Sequence, residues 1–312
     1  MKTKRVLATD LLALTLTFVA DQAVLAAGPG PFLPGEILVN EYSGNSVQRY
    51  SATGTLLQTF TGPGTLWSGV ALTPDGNLVA GHRGPSAGIE IFSPAGTQLA
   101  SFAVTGVGNI NDVSVFPNGT LAVSDFTNKI VQFWSQAGAQ GPTVALPGVP
   151  KPQGSTVGSD GILYVAGYTT NNLARVSAGG VSLGNVSLTF QPGDLVMNPM
   201  DGTLWVSGFD NDRAYHITTT GTLLGSFPTG LTGHFGGIGL APDDNSLYVT
   251  SDGSTVVKHF DLSGGLLGSF ALTSPNLPFF MTVVPAPEPT SAALLGLGAL
   301  WLAARRRRSA QI

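Results

Sequence analysis

Short apolar blocks in which Leu is followed by Val directly or after one residue, each led in by Gly or Asn, recur six times along the chain. They read Gly35-Glu-Ile-Leu-Val, Gly76-Asn-Leu-Val, Gly119-Thr-Leu-Ala-Val, Gly161-Ile-Leu-Tyr-Val, Gly202-Thr-Leu-Trp-Val and Asn245-Ser-Leu-Tyr-Val. Aligned on Leu38, Leu78, Leu121, Leu163, Leu204 and Leu247, they stand 40, 43, 42, 41 and 43 residues apart. Around each block the apolar runs are short and bounded by turn residues, which predicts strands and not helices. The sixth copy shows four such runs: Gly236 to Ala241, Ser246 to Thr250, Val256 to Phe260 and Leu266 to Phe270. Between first and second runs the chain supplies Thr73-Pro-Asp-Gly76, Phe116-Pro-Asn-Gly119, Gly158-Ser-Asp-Gly161 and Asn198-Pro-Met-Asp-Gly202. Between third and fourth runs come Ser51-Ala-Thr-Gly54, Ser93-Pro-Ala-Gly96, Thr218-Thr-Thr-Gly221 and Ser263-Gly-Gly265. Pro presets φ and Gly admits positive φ, as tight antiparallel turns require. A four-stranded unit repeated at this period predicts an all-β chain, a six-bladed β-propeller of four-stranded antiparallel blades.

The two ends of the repeat predict how the ring closes. The first copy starts directly at its second strand, Glu36 to Asn40, while the last is followed by an extra strand-like piece, Phe279 to Val284. This C-terminal strand is expected to join the first blade as its innermost member, removing the open sheet edges that would otherwise pair with other chains.

The segments Asn45-Ser-Val-Gln-Arg-Tyr50, Asn128-Lys-Ile-Val-Gln-Phe133 and Ser254-Thr-Val-Val-Lys-His-Phe260 each follow a polar loop and precede a Gly turn. With them the region Gly35 to Val284 resembles the NHL-repeat propellers, although the units starting at Val70 and Thr156 depart from that pattern in their third strands. Some seven-bladed lyases have similar Gly-x-Leu-Trp/Tyr-Val repeats, and six-bladed lactonases bind calcium at the mouth of the central channel.

Outside the repeat, residues 1–27 place Lys2, Lys4 and Arg5 before an apolar run from Leu11 to Val19 and a small-residue exit at Ala26 and Ala27. That order predicts a secretory signal, with the propeller over residues 28–284. Residues 285–312 carry Pro287-Glu288-Pro289, an apolar segment from Ala292 to Ala304, and Arg305, Arg306, Arg307 and Arg308. The segment is shorter than the roughly 20 residues that span a bilayer comfortably, and the arginines mark a cytoplasmic side. These three ordered elements resemble the PEP-CTERM sorting signal of Gram-negative bacteria. The resemblance implies an exosortase-type processing enzyme as partner, transient residence of the tail in the inner membrane, and export to the cell envelope, cell surface or extracellular matrix of an exopolysaccharide producer.

Charge then narrows the function. Between Gly28 and Val284 seven basic residues face fifteen acidic ones, a balance of about −8, so nucleic acid is not an expected partner. The chain has no Cys, which removes thiol catalysis, thiolate metal sites and disulfides, and leaves burial of a large core as the source of stability. No Gly-x-Ser-x-Gly elbow and no His-x-x-x-His pair is present, and His82, His216, His234 and His259 are scattered.

Binding residues are expected on the face that carries the inter-blade connections and the loops after each second strand. The candidates there are Glu41, Tyr42, Trp67, His82, Arg83, Asn111, Asp112, Asp125, Phe126, Lys151, Tyr168, Asp194, Phe209, Asp210, His234 and Asp252. Acidic and aromatic side chains suit a sugar, through ring stacking and carboxylate hydrogen bonds, or a hard cation. The same residue types also pack between blades or cap turns. Asp112 and Asp194 start innermost strands and are expected at the mouth of the channel, with Asn111 as a neutral oxygen ligand. The expected function is a non-enzymatic binding or scaffold module for polysaccharide or envelope proteins, without a cofactor. The alternative is a calcium-dependent hydrolase or lactonase around Asn111, Asp112 and Asp194, with calcium as its cofactor.

Overall fold

The computed structural model describes Gly30–Ala286 except residues 85, 234–235, 242–244 and 274–276. The signal region and the sorting motif, with Pro287, Glu288, Pro289 and Arg305 to Arg308, lie outside the described residues, as does His234. Within them, twenty-four strands form six four-stranded antiparallel sheets. Blades 1 to 6 follow chain order, and their innermost strands are Pro278–Val283, Thr65–Leu72, Ile110–Val115, Pro152–Val157, Pro192–Asn198 and Ile238–Ala241. The third strands of blades 2 and 4, Gly88–Phe92 and Asn172–Ser177, form despite their departure from the repeat pattern.

Closure is as predicted. Val283, Thr282 and Met281 pair with Ile37, Leu38 and Val39, the start of the second strand of blade 1. Backbone bonds from Gly35 N to Val284 O and from Val284 N to Glu36 O extend the ladder past the strand ends. The anticipated turns form too: Gly54, Gly76, Gly96, Gly119, Gly161, Gly202 and Gly221 all take positive φ.

One detail of register differs from the sequence alignment. In every blade the residue that pairs with the last position before the third-to-fourth turn is Ile37, Leu78, Leu121, Leu163, Leu204 or Leu247, opposite Tyr50, Phe92, Trp134, Val176, Ile217 or Phe260. Blade 1 is therefore in register on Ile37 and not on Leu38. The physical reason is that Ile37, Leu38 and Val39 are all fully buried, Leu38 in the core shared with blade 2 and Ile37 and Val39 in the core shared with blade 6.

A buried ion pair locks the start of the described chain onto the first blade. Arg49 Nη2 lies 2.7 Å from Glu36 Oε2, its guanidinium donates to the Gly30 and Pro31 carbonyls, and it covers the Phe32 ring at 4.7 Å. Removing one partner of such a pair strands the other charge, a cost of about 3–5 kcal/mol. Arg49→Ala is expected to lower the melting temperature by roughly 10 °C, and Arg49→Lys to recover only part of it, since an ammonium cannot reproduce the guanidinium fork. Thermal denaturation followed by circular dichroism checks this; a melt unchanged by Arg49→Ala would show that the lock does not matter.

Candidate functional site

With blade 1 in register, the six inner strands put one residue each at an equivalent level: Phe280, Gly69, Asp112, Gly154, Asp194 and Gly237, directly before the positions that pair with Val39, Ala80, Val123, Val165, Val206 and Val249. Glycine thus alternates with a larger residue around the ring and makes a narrow neck. The glycines are needed because the next strand comes too close for a side chain. A Cβ on Gly69 would stand 2.6 Å from Val113 N, on Gly154 2.3 Å from Asp194 Oδ1, and on Gly237 2.9 Å from Met281 N.

The two acids of the neck tie adjacent blades together. Asp112 Oδ2 accepts from Ser155 N at 2.6 Å and from Ser155 Oγ at 2.8 Å. Asp194 accepts from Leu195 N at 2.8 Å and from Ile238 N at 3.1 Å. Ser124 and Ser207, three residues after the anchoring leucines, each receive the backbone N–H of the Asp and donate onward to the Gln153 or Gly236 carbonyl of the following blade. In blade 1 Asn40 holds the equivalent post, accepting from Phe280 N and donating to the Trp67 carbonyl at 2.7 Å.

Burial pushes the Asp112 carboxyl up to about 7, against the lowering effect of its hydrogen bonds to Ser155 and Val113. Asp194 is raised well above the usual carboxylate range, first by burial and then by the nearby charge of Asp112. Both therefore hold a proton more readily than an ordinary carboxylate does.

Below the neck the inner strands enclose a channel of about 470 Å³. Its walls are largely apolar, with Val70, Leu72, Val113, Leu195, Leu240 and Met281 among them. It runs from Asp112 and Asp194 to the exposed Pro117, Ser159, Pro199 and Pro285, so it opens on the face of the tight turns. Asp112 and Asp194 were expected at a mouth on the loop face; they lie instead at the inner end of a channel that opens the other way. The side chain of Asn111 is fully buried and donates to Gln153 Oε1. Among the described residues no three His, Asp or Glu side chains come together as a metal site.

Above the neck, on the loop face, lies a second feature. The fifth residue after each anchoring position is Tyr42, Arg83, Phe126, Tyr168, Phe209 or Asp252, so the register that builds the blades also builds a collar. Tyr42 stacks on Phe279 with centroids 5.2 Å apart, and the Arg83 guanidinium lies over the rings of Tyr42, Phe279 and Phe126 at 5.0, 5.5 and 5.9 Å. Phe126 stacks on Tyr168 at 5.9 Å, and Tyr168 meets Phe209 edge-on at 4.4 Å. Lys151 Nζ sits 5.2 Å from the Phe126 centroid and 5.1 Å from that of Tyr168. Lys151 is exposed, Phe209 is buried, and Tyr42, Arg83, Phe126 and Tyr168 are half-buried.

Several candidates do internal work. Trp67 is fully buried, stacked on Phe92 and bonded through Nε1 to the Gly64 carbonyl. Asp125 is fully buried and accepts from the backbone N–H groups of Gly108, Asn109, Thr127 and Asn128, which fixes the loop around it. Glu41 is buried with Ser46 Oγ 3.5 Å away. His82 is buried 3.4 Å from Glu90. Asp210 is exposed and Asp252 half-buried on the loop face. His216 and His259 stack on Trp205 and Tyr248 inside their blades. Ser124, Ser155 and Ser207 escaped the sequence reading; the shared offset of Ser124 and Ser207 from Leu121 and Leu204 was the available signal.

No family profile matches the chain, and no curated protein is similar to it in sequence. Its fold is similar to many solved structures. One is a protein of unknown function from Bacteroides caccae, 13% identical, with TM-score 0.65 over 81% of this chain and 99% of that one. A chain of a nidogen–laminin complex is 15% identical, with TM-score 0.65 over 80% and 97%. Virginiamycin B lyase from Staphylococcus aureus is 15% identical, with TM-score 0.63 over 83% and 88%. At such identities the likeness establishes the propeller architecture alone.

Proposed function

We propose that the protein is an exported, envelope-sorted propeller that binds a polysaccharide chain on its loop face, through the collar, without catalysing a reaction on it. The observation that carries this reading is the recurrence of a ring or a cation at one offset in five consecutive blades, Tyr42, Arg83, Phe126, Tyr168 and Phe209, with Lys151 beside them. Half-buried aromatic rings offer apolar faces to the C–H faces of sugar rings. Arg83 and Lys151 are donors for hydroxyls and for the carboxylates of uronate residues. Structural neighbours include a lyase and a member of a protein–protein complex, so the shared fold does not choose between functions and the collar must.

Export fits the geometry. Pro285 lies at the rim of the channel on the tight-turn face, so a tail leaving from it directs the collar away from the membrane.

Affinity electrophoresis through gels containing alginate or neutral dextran tests the reading. Retardation by alginate is expected, with Phe126→Ala plus Tyr168→Ala weakening it at least tenfold, since losing apolar contact of about 1.4 kcal/mol, roughly 55 Å² of buried ring surface, is a factor of ten. Mobility unaffected by either polysaccharide would sink the proposal.

A further inference from the structure

The channel below the neck is a second site, separate from the collar and independent of the reading given for it. Its volume falls in the range of small-molecule pockets, roughly 300–1,000 Å³, and its exposed rim of Pro117, Ser159, Pro199 and Pro285 leaves it open to solvent. Along the wall the polar groups are few: the hydroxyls of Ser114, Ser155, Ser159, Thr156 and Thr282, and the two carboxyls at the inner end. Ser114 and Ser155 are already bonded to each other at 2.7 Å.

The inner end is electrostatically incomplete. Asp112 and Asp194 are both more than nine-tenths buried and act on each other through their charges, yet no Lys, Arg or His lines the channel among the described residues. Backbone N–H groups and Ser155 satisfy some of the carboxylate lone pairs but bring no positive charge. Two ionised acids in an apolar cavity without a counter-charge are costly, so they either hold protons or take something cationic between them. In such surroundings a single positive charge set between them interacts far more strongly than it would in water. A hard metal ion wants six to eight oxygen ligands, more than this end of the channel provides. An organic ammonium needs only a few acceptors for its three N–H groups and gives the apolar walls a tail to cover.

We propose that the channel binds a primary alkylamine, its ammonium seated between Asp112 and Asp194 and its hydrocarbon chain running along Val113, Leu195, Leu240 and Met281 toward the tight-turn face. Both ends of the ligand are recognised, so head and tail are separately testable.

Isothermal titration calorimetry at pH 8 with n-octylamine, n-octanol, octanoate and calcium chloride makes the test, using the full chain. Octylamine is expected to bind at least tenfold more tightly than octanol, with octanoate excluded. Asp112→Asn combined with Asp194→Asn is expected to erase that preference. If this variant does not fold, Thr156→Trp, which narrows the channel from a half-buried wall position outside the inter-blade cores and leaves both acids in place, is expected to abolish octylamine binding while preserving the melt. Equal binding of octylamine and octanol, binding of calcium alone, no binding of any probe, or unimpaired octylamine binding by a folded Thr156→Trp protein would each overturn the proposal.

Discussion

A chain ending at Leu272 will not fold cooperatively, whereas one ending at Ala286 will melt like the full-length protein. The difference between them is the innermost strand of blade 1, Pro278–Val283. Without it the strand Ile37–Glu41 becomes a bare edge, and Phe279, Phe280, Met281 and Val283 vanish from two inter-blade cores. Each such side chain contributes about 1.5–3 kcal/mol when fully buried, so four of them match the whole net stability of an ordinary domain, about 5–15 kcal/mol. The exposed edge then offers its unpaired N–H and C=O groups to other copies. Size-exclusion chromatography should show aggregates, and far-UV circular dichroism no sigmoidal melt. A milder version, Phe280→Ala, should cost about 3–5 kcal/mol. A cooperative melt of the Leu272 truncation within a few degrees of the intact chain would refute closure as the source of stability.

The second large effect concerns pH. Heat stability is expected to rise as pH falls from 8 toward 6, against the usual direction of acid destabilisation. The sign follows from linkage: between the ordinary carboxylate value of 3.8 and the raised value of about 7, folded Asp112 holds a proton that the unfolded chain does not. Stability from this group is complete below pH 3.8 and is lost as pH climbs through 7; Asp194, also raised, acts in the same direction. His216 opposes it, because burial lowers its value below 6.5 and folding then loses ground as pH drops through that range. Exposed Asp261, lowered by hydrogen bonds from Ser263 and Gly265, adds a loss only in more acid solution. The melting temperature should therefore climb by roughly 5 °C between pH 8 and pH 6 and turn over in more acid solution. Differential scanning calorimetry decides it, and a steady decline from pH 8 downward would show that the neck carboxyls titrate normally.

Much of this architecture was legible because the repeat, the turn residues and the closing strand each carry a local chemical reason. The parts that were not legible share a cause. In a propeller both faces of a blade are buried against neighbours, so Ile37-Leu38-Val39 shows no alternation that would reveal which residue faces which side. Aligned on Leu38, the first repeat stands one residue out, which takes Tyr42 off the offset shared by Arg83, Phe126, Tyr168 and Phe209. Asp112 and Asp194 were found from their place on inner strands, but nothing local says at which end the channel opens. That depends on Gly69, Gly154 and Gly237, whose role is visible only once the strand they touch, from a different repeat, is in place.

The alternation of small and large residues at the neck constrains how such a ring can grow. Inserting a single repeat would set two glycines or two bulky residues side by side, leaving a hole or a collision at the narrowest point. Only an added pair keeps parity, so a ring enlarged without rebuilding its narrowest point would count eight blades.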